Sequence, residues 1–590
     1  MDKFYTSEKN FQILIALLKA HNIRKIVASP GTTNLTFVGS VQNDKYFEVY
    51  SSIDERSAGY IACGMAAESG EPVVLSCTGA TASRNYFPPL TEAYYRKLPI
   101  LAVTSTQHTG RVGTYTPQVI DRSAQPKDTV KFSASIPTIH TKEDEWAYTL
   151  RINEALLELR HRGGGPAHLN MTTEYSTDFS VRFLPEVKVI KRFETSCKEL
   201  PELKAKTVGI FVGAHTKWSD ELTELVDSFC ERYNAAVLCD HTSNYKGKYE
   251  IHPSLVPLTP RQGMDIMIHI GEVSGAYMRF SPKEVWRVSP DGCLRDPFRR
   301  LHYVFEMSEE EFFSHYVENT NWGGGKITEY YDAWRHDYDY VLGVLENMQE
   351  LPFSNAWIAQ HTINRLPENS ILHLGILNSL RCWNFFELPH KSILSFCNTG
   401  GFGIDGCVSS FTGASFASPD KLFFGIIGDV AFFYDLNSIG NRHIGSNIRL
   451  MIVNNGCGAE MNLYGNVCVR SFGEGTHEFF TARGHFAKQS RDLVRHYASD
   501  LGFEYLSASN KEEYLANVER FTTSEKLDKP ILFEVFTDPD DESNALYAIN
   551  NMDIEDILPP SMRLKRTVKR NAKSILGEKN IRVIKKMMGR

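Results

Sequence analysis

Short apolar runs alternate with amphipathic stretches along most of the chain, the pattern of buried parallel strands separated by covering helices. In the first third, KIVAS (25–29), FEVYSSI (47–53), PVVLSC (72–77) and PILAVTS (99–105) predict strands, with helices between them such as Ser57–Ser69. The charged stretch LPEVKVIKRFETSCKELPELKAK (184–206) reads as a linker. A second series, TVGIFVGA, AAVLCDH, DIMIHIG and EVWRVSP, runs to a break near NWGGGK (321–326), followed by a long polar helix through about Gln349. SILHLGIL, KSILSFCN, LFFGIIG, RLMIVNN and ILFEVFTD form the third series. The fold class predicted is α/β, with three doubly wound parallel-sheet domains at 1–185, 186–345 and 346–540 and a tail at 541–590.

Composition supports a globular chain: 42% hydrophobic and 23% charged over 590 residues. The net charge of −7 argues against nucleic acid as a partner. The N-terminal MDKFYTSEKNFQILIALLKAH has helical periodicity broken by charges rather than a signal-peptide layout, and no apolar run is long enough for a membrane span. Eleven cysteines without a CxxC pair, most within apolar runs, read as reduced core thiols and a cytoplasmic location.

Candidate chemistry sits in the third series. Phe423–Gly428 reads as one buried strand and Arg449–Val453 as the next, so Asp429 and Asn455 fall 26 positions apart at two strand ends. Ligands of open parallel sheets bind at the carboxyl ends of strands. A carboxylate oxygen, an amide oxygen and a backbone carbonyl suit a hard cation such as Mg²⁺, which keeps positions for water and phosphate. The plain alternative is a helix cap at Asp429 and an Asn turn.

Gly428-Asp429-Val430 … Asn454-Asn455 resembles the cofactor motif of thiamine diphosphate-dependent 2-oxo-acid enzymes, Gly-Asp-Gly, about 25 residues, Asn-Asn. Val430 in place of the third glycine, together with FYDLN (433–437), is similar to the MenD branch, the succinyl-enolpyruvyl-hydroxycyclohexene-carboxylate synthases. The resemblance implies pyrimidine-binding, middle and diphosphate-binding domains in that order. It makes Asp429 and Asn455 side-chain Mg²⁺ ligands, adds the Cys457 carbonyl, and sets Gly428, Val430 and Ala431 at the diphosphate. SSIDERSAGYIACGMA (51–66) resembles the segment whose glutamate, here Glu55, contacts the cofactor's aminopyrimidine ring. Such a glutamate, in an apolar pocket, has a raised pKa and can hold a proton near neutrality. Gly79 and Thr81, in CTGATASRNYFPPLTEAY (77–94), fall near the cofactor, and Gln118 falls on a polar active-site position. SFCNTGGFGIDG (395–406) puts Gly403 beside the cofactor and makes Ile404 the apolar wedge that bends it; Asn378-Ser379 helps hold the diphosphate.

Substrate positions depart from that branch. Its three carboxylate-binding arginines fall on Thr33, Thr399 and Trp383, although Arg381 is close; Trp383 is expected to narrow the pocket. The expected function is therefore ThDP- and Mg²⁺-dependent decarboxylation of a small-molecule 2-oxo acid, with transfer of the acyl carbanion to a carbonyl or enone acceptor. Alternatives are simple decarboxylation, the synthase activity of the MenD branch itself, and a catalytically silent binding protein. The family also implies a homodimer or homotetramer, with Glu55 and Asp429 of one site on different subunits. The basic tail reads as a solvated helix or as a surface-binding end.

Overall fold

The computed structural model describes residues 3–215, 218–256, 263–275, 280–318, 329–485, 490–558 and 563. The NWGGGK break and nearly all of the basic tail beyond 558 lie outside them. The chain builds three parallel α/β sheets. Compactness divides it into two units, Met1–Cys197 with Asp291–Glu306, and Lys198–Pro290 with Met307–Arg590.

The first unit contains β1 (Lys25–Ala28), β2 (Glu48–Ser51), β3 (Val73–Cys77), β4 (Ile100–Thr106), β5 (Phe132–Ile136) and β6 (Ala167–Thr172). They pair in parallel in the order β2-β1-β3-β4-β6-β5. β3, β4 and β6 are buried along their whole length; β3 and β4 carry only apolar or small residues, while β6 also buries His168 and Asn170. One face packs on the helices Lys9–Ala20 and Lys142–Glu158 through Leu14, Ile15, Leu18, Ile152 and Leu156; the other packs on the helices Glu55–Ser69 and Phe87–Tyr95 through Ala58, Ala62, Leu90 and Ala93. The 184–206 stretch is not simply a linker: Lys191–Glu194 is a strand, β7. It is short and half exposed, so it lacks the apolar run that marks a central strand.

The next six strands are β8 (Val208–Val212), β9 (Ala236–Leu238), β10 (Glu250–Ile251), β11 (Gly263–Ile270), β12 (Ser281–Val288) and β13 (Leu301–Glu306). Within the first unit β13 pairs in parallel with β7. Within the second unit the order is β10-β9-β8-β11-β12, with parallel pairing throughout.

The remaining strands are β14 (Ile371–Leu374), β15 (Leu394–Phe396), β16 (Phe423–Gly428), β17 (Ile448–Asn454), β18 (Glu504–Ala508) and β19 (Ile531–Phe536). Their order, β15-β14-β16-β17-β19-β18, repeats that of the first sheet strand for strand. The long polar helix expected before them runs from Tyr330 to Glu346.

Candidate active site

Every sequence-predicted site residue lies at or beyond the carboxyl end of a strand in one of the two six-stranded sheets, where such sheets bind ligands. β16 and β17 are neighbours in register, Gly428 beside Val453. Asp429 begins the helix that follows β16, and Asn455 follows β17, so the two side chains named for the cation are brought to one edge. Both are buried, Asp429 to 5% exposure and Asn455 to 8%. Burial pushes the Asp429 carboxyl up to about 7, against the pull of backbone N–H groups of Val430 and Gly456. No cation among the described residues offsets that cost. Gly456 takes φ +70° to turn the chain there, and the Cys457 N–H donates to Asn455 Oδ1 at 3.2 Å. The donor set is hard oxygen, and its one carboxylate is buried without a counter-charge. These residues fit a divalent cation of the Mg²⁺ type.

The positions expected at the diphosphate are held from behind. Asn378 opens the helix Asn378–Trp383 after Leu377, whose φ is +72°. Asn378 Nδ2 donates to Glu542 Oε2 at 3.1 Å, and Glu542 Oε1 accepts from the Asn355 N–H at 3.0 Å and the Thr537 hydroxyl at 2.8 Å. Asn355 Nδ2 donates to Ser379 Oγ at 3.1 Å, while Asn355 Oδ1 accepts from Trp383 Nε1 at 3.2 Å. Glu542 is buried, which pushes its carboxyl up to about 7. A second buried acid, Glu534, accepts from Asn454 Nδ2 at 2.7 Å and Tyr505 OH at 2.8 Å, fixing the amide beside Asn455. Gly428 faces open space that a side chain would fill. Val430 is half-buried and Ala431 buried, while Gly403 and Ile404 are half-exposed after β15.

In the first unit, Glu55 is the first residue of the helix Glu55–Ser69, capped by Asp54. It is half-exposed, and Asn85 Nδ2 lies 3.4 Å from its Oε2. Gly79 is packed so tightly that a Cβ would lie 3.0 Å from the Gln118 carbonyl oxygen. Its N–H donates to Thr33 Oγ1 at 3.0 Å, and Thr33 also bonds Thr78 through their hydroxyls. Thr81 follows Ala80, which holds φ +55° and ψ −130°. Positive-φ residues without glycine thus precede both Thr81 and Asn378, and Gln118 itself has φ +65°. Such strain, of order 1–3 kcal/mol each, concentrates at ligand sites.

Trp383 does not narrow a pocket. It is wholly buried, donating to Asn355 while its carbonyl accepts from His241 Nε2 at 2.9 Å. Arg381 makes a bidentate pair with Glu460, at 2.5 and 3.2 Å. Sequence reasoning missed Glu542, Asn355 and Glu534. Glu534 had a signal, a lone acid within the apolar run ILFEVF; Glu542 had none, since PDDESNAL reads as a solvated helix start.

Two sheets of one strand order, one of them ending in a buried carboxylate and amide on neighbouring strands, are the arrangement of a thiamine diphosphate-dependent enzyme. Residues 9–125 match the family described as thiamine pyrophosphate enzyme, N-terminal TPP binding domain. The chain is 31% identical over 571 residues to 2-succinyl-5-enolpyruvyl-6-hydroxy-3-cyclohexene-1-carboxylate synthase of Phocaeicola vulgatus, covering 92% of this chain and 98% of that one. It is 30% identical over 574 residues to the Bacteroides thetaiotaomicron synthase of that name, with the same coverage of both chains. The Flavobacterium johnsoniae synthase is 26% identical over 560 residues, 89% of this chain and 95% of that one. The chain belongs to the same family as these synthases.

Proposed function

We propose that the chain is a Mg²⁺-requiring thiamine diphosphate carboligase that decarboxylates a monocarboxylate 2-oxo acid and joins the acyl unit to a carbonyl or enone acceptor. The observation that carries the cation is the buried Asp429–Asn455 pair on neighbouring strand ends with no internal counter-charge. Asp429, Asn455 and the Cys457 carbonyl hold Mg²⁺; Gly428, Val430, Ala431, Asn378 and Ser379 hold the diphosphate; Gly79, Thr81, Gly403 and Ile404 border the ring system. Bound thiamine diphosphate supplies an electron sink for the charge left on the acyl carbon as CO₂ departs. Glu55 holds a proton at the aminopyrimidine ring, and Gln118 presents a polar group to the reacting substrate. Residues 1–185 serve as the pyrimidine-binding domain, 186–345 as the middle domain and 346–540 as the diphosphate-binding domain.

The donor preference rests on chemistry at three positions. Thr33, Thr399 and Trp383 are buried and carry no charge, and Arg381 is committed to Glu460. A second donor carboxylate buried without a cation costs several kcal/mol, on the order of a thousandfold in affinity. Steady-state kcat/KM for pyruvate should therefore exceed that for 2-oxoglutarate, and the reverse order would refute the donor assignment. Thiamine diphosphate and Mg²⁺ binding, measured by calorimetry without substrate, tests the cofactor assignment separately.

The helix that begins with Glu55 exposes Tyr60 (48%) and Ile61 (46%), and Ile53 beside it is 86% exposed. Apolar side chains in that position support a homodimer or homotetramer in which Glu55 serves a cofactor held by another copy's Asp429. The eleven cysteines are not joined in disulfides, which supports a reducing, cytoplasmic setting; among the described residues no helix is long and apolar enough to cross a membrane.

A further inference from the structure

We propose that the first unit holds a buried site for a small inorganic monoanion, chloride or a halide of similar size, on Arg122 with Arg84 at its rim. Arg122 is 3% exposed. Its Nη2 donates to the Ser105 carbonyl at 3.0 Å, while Nε and Nη1 have no hydrogen-bond partner. Among the described residues no carboxylate forms an ion pair with Arg122 or Arg84. Arg84 spends one donor on the Asp121 carbonyl at 2.8 Å and lies over the Phe87 ring.

The exposed Asp121 carboxylate attracts Arg84 without forming an ion pair with it, and the buried neighbours of Arg122 carry no negative charge. Burial pushes the Cys77 thiol up to about 12, so it is neutral. Burial and then Arg122 push His168 down to about 3, and its two ring nitrogens are taken by the Thr104 and Ser133 hydroxyls. Burial, with a smaller contribution from Arg84, lowers Arg122 to about 10, which leaves it cationic at neutral pH. A buried, unpaired guanidinium is one of the costlier arrangements a fold can hold.

The same arginine borders a cavity also lined by Arg84, Thr104, Gln125 and His168. The cavity admits the centre of a water-sized sphere over about 10 Å³, room for roughly one water. A water would satisfy the free donors but leave the charge. A carboxylate or phosphate exceeds the space. A halide is only slightly wider than water, and exposed Arg84 can give way at the rim. The occupant anchors the turn between Gln118 and Arg122, whose carbonyl also accepts from Gln125 Nε2 at 3.3 Å.

Crystals of the full chain soaked in sodium bromide, with data collected at the bromine edge, test this directly. An anomalous peak within about 3.5 Å of Arg122 Nε or Nη1 is expected; a water there without anomalous signal overturns the site. In solution, bromide should raise Tm by about 2 °C or more over gluconate at equal ionic strength, saturating below molar salt. Arg84→Gln, at an exposed position, should shift the bromide midpoint upward, and Arg122→Met should abolish the response. Equal melting of the native chain in both salts, or an unchanged bromide response in Arg122→Met, overturns the proposal. If Arg122→Met does not fold, the diffraction result stands alone.

Discussion

Removing the charge of Asp429 should make the metal-free protein more stable at alkaline pH while destroying its cofactor site. The folded carboxyl titrates at about 7 because it is buried, against an ordinary value of 3.8. Below pH 4 it is protonated in both folded and unfolded chains, and its charge costs nothing. Between 4 and 7 the unfolded chain releases a proton that the folded chain retains, so stability falls as pH rises. Above 7 the full cost is present, about three pKa units or ~4 kcal/mol. In Asp429→Asn this cost vanishes. With chelator present, the stability of the variant relative to the native chain should therefore improve by ~3 kcal/mol between pH 5 and pH 8. Any fixed offset from the new amide cancels in that comparison. Urea unfolding followed by tryptophan fluorescence can read it, since Trp286, Trp334, Trp357 and Trp383 are fully buried. Mg²⁺ with thiamine diphosphate should then stabilise the native chain and leave the variant unchanged. A difference independent of pH, or one that shrinks toward pH 8, would show that Asp429 is not an uncompensated buried acid.

Glu55→Gln should fold and bind thiamine diphosphate, yet slow exchange of the cofactor's C2 proton into deuterated water by about 10²–10⁴-fold; native-like exchange refutes its proton role. Glu542→Ala should weaken thiamine diphosphate binding by tenfold or more, since it frees the Asn378 amide and strands the buried Asn355 N–H; unchanged affinity by calorimetry shows that the amide needs no such support. Light scattering should find dimers or larger assemblies, and an active monomer contradicts the shared site.

The edge proposed for the cation was legible because two long apolar runs end in Gly-Asp and Asn-Asn, and buried central strands leave that signature. Other strands were less plain. The edge strands Glu48–Ser51 and Leu394–Phe396 fell inside predicted runs, but Phe132–Ile136 and Glu504–Ala508 carry serine, glutamate and tyrosine and did not stand out, nor did the central Ala167–Thr172, where His168 and Asn170 interrupt the apolar residues. The support beneath the site was invisible for another reason. Glu542 lies 164 residues from Asn378, and no periodicity relates positions joined only by folding. Trp383 could be assigned to the pocket by its place in the motif, but its burial against Asn355 and His241 belongs to tertiary packing.

The repeated strand order bears on how this chemistry can change. β3 and β16 occupy the same place in their sheets, yet one ends in a neutral Thr-Gly-Ala turn and the other in a metal-type carboxylate. The chemistry thus differs at the tips while the two sheets share one wiring diagram. The turns beyond the strand ends are where the chemistry can change, with each sheet's pairing left as a constant frame. Change there alters what a strand end can hold without asking the chain to learn a new fold.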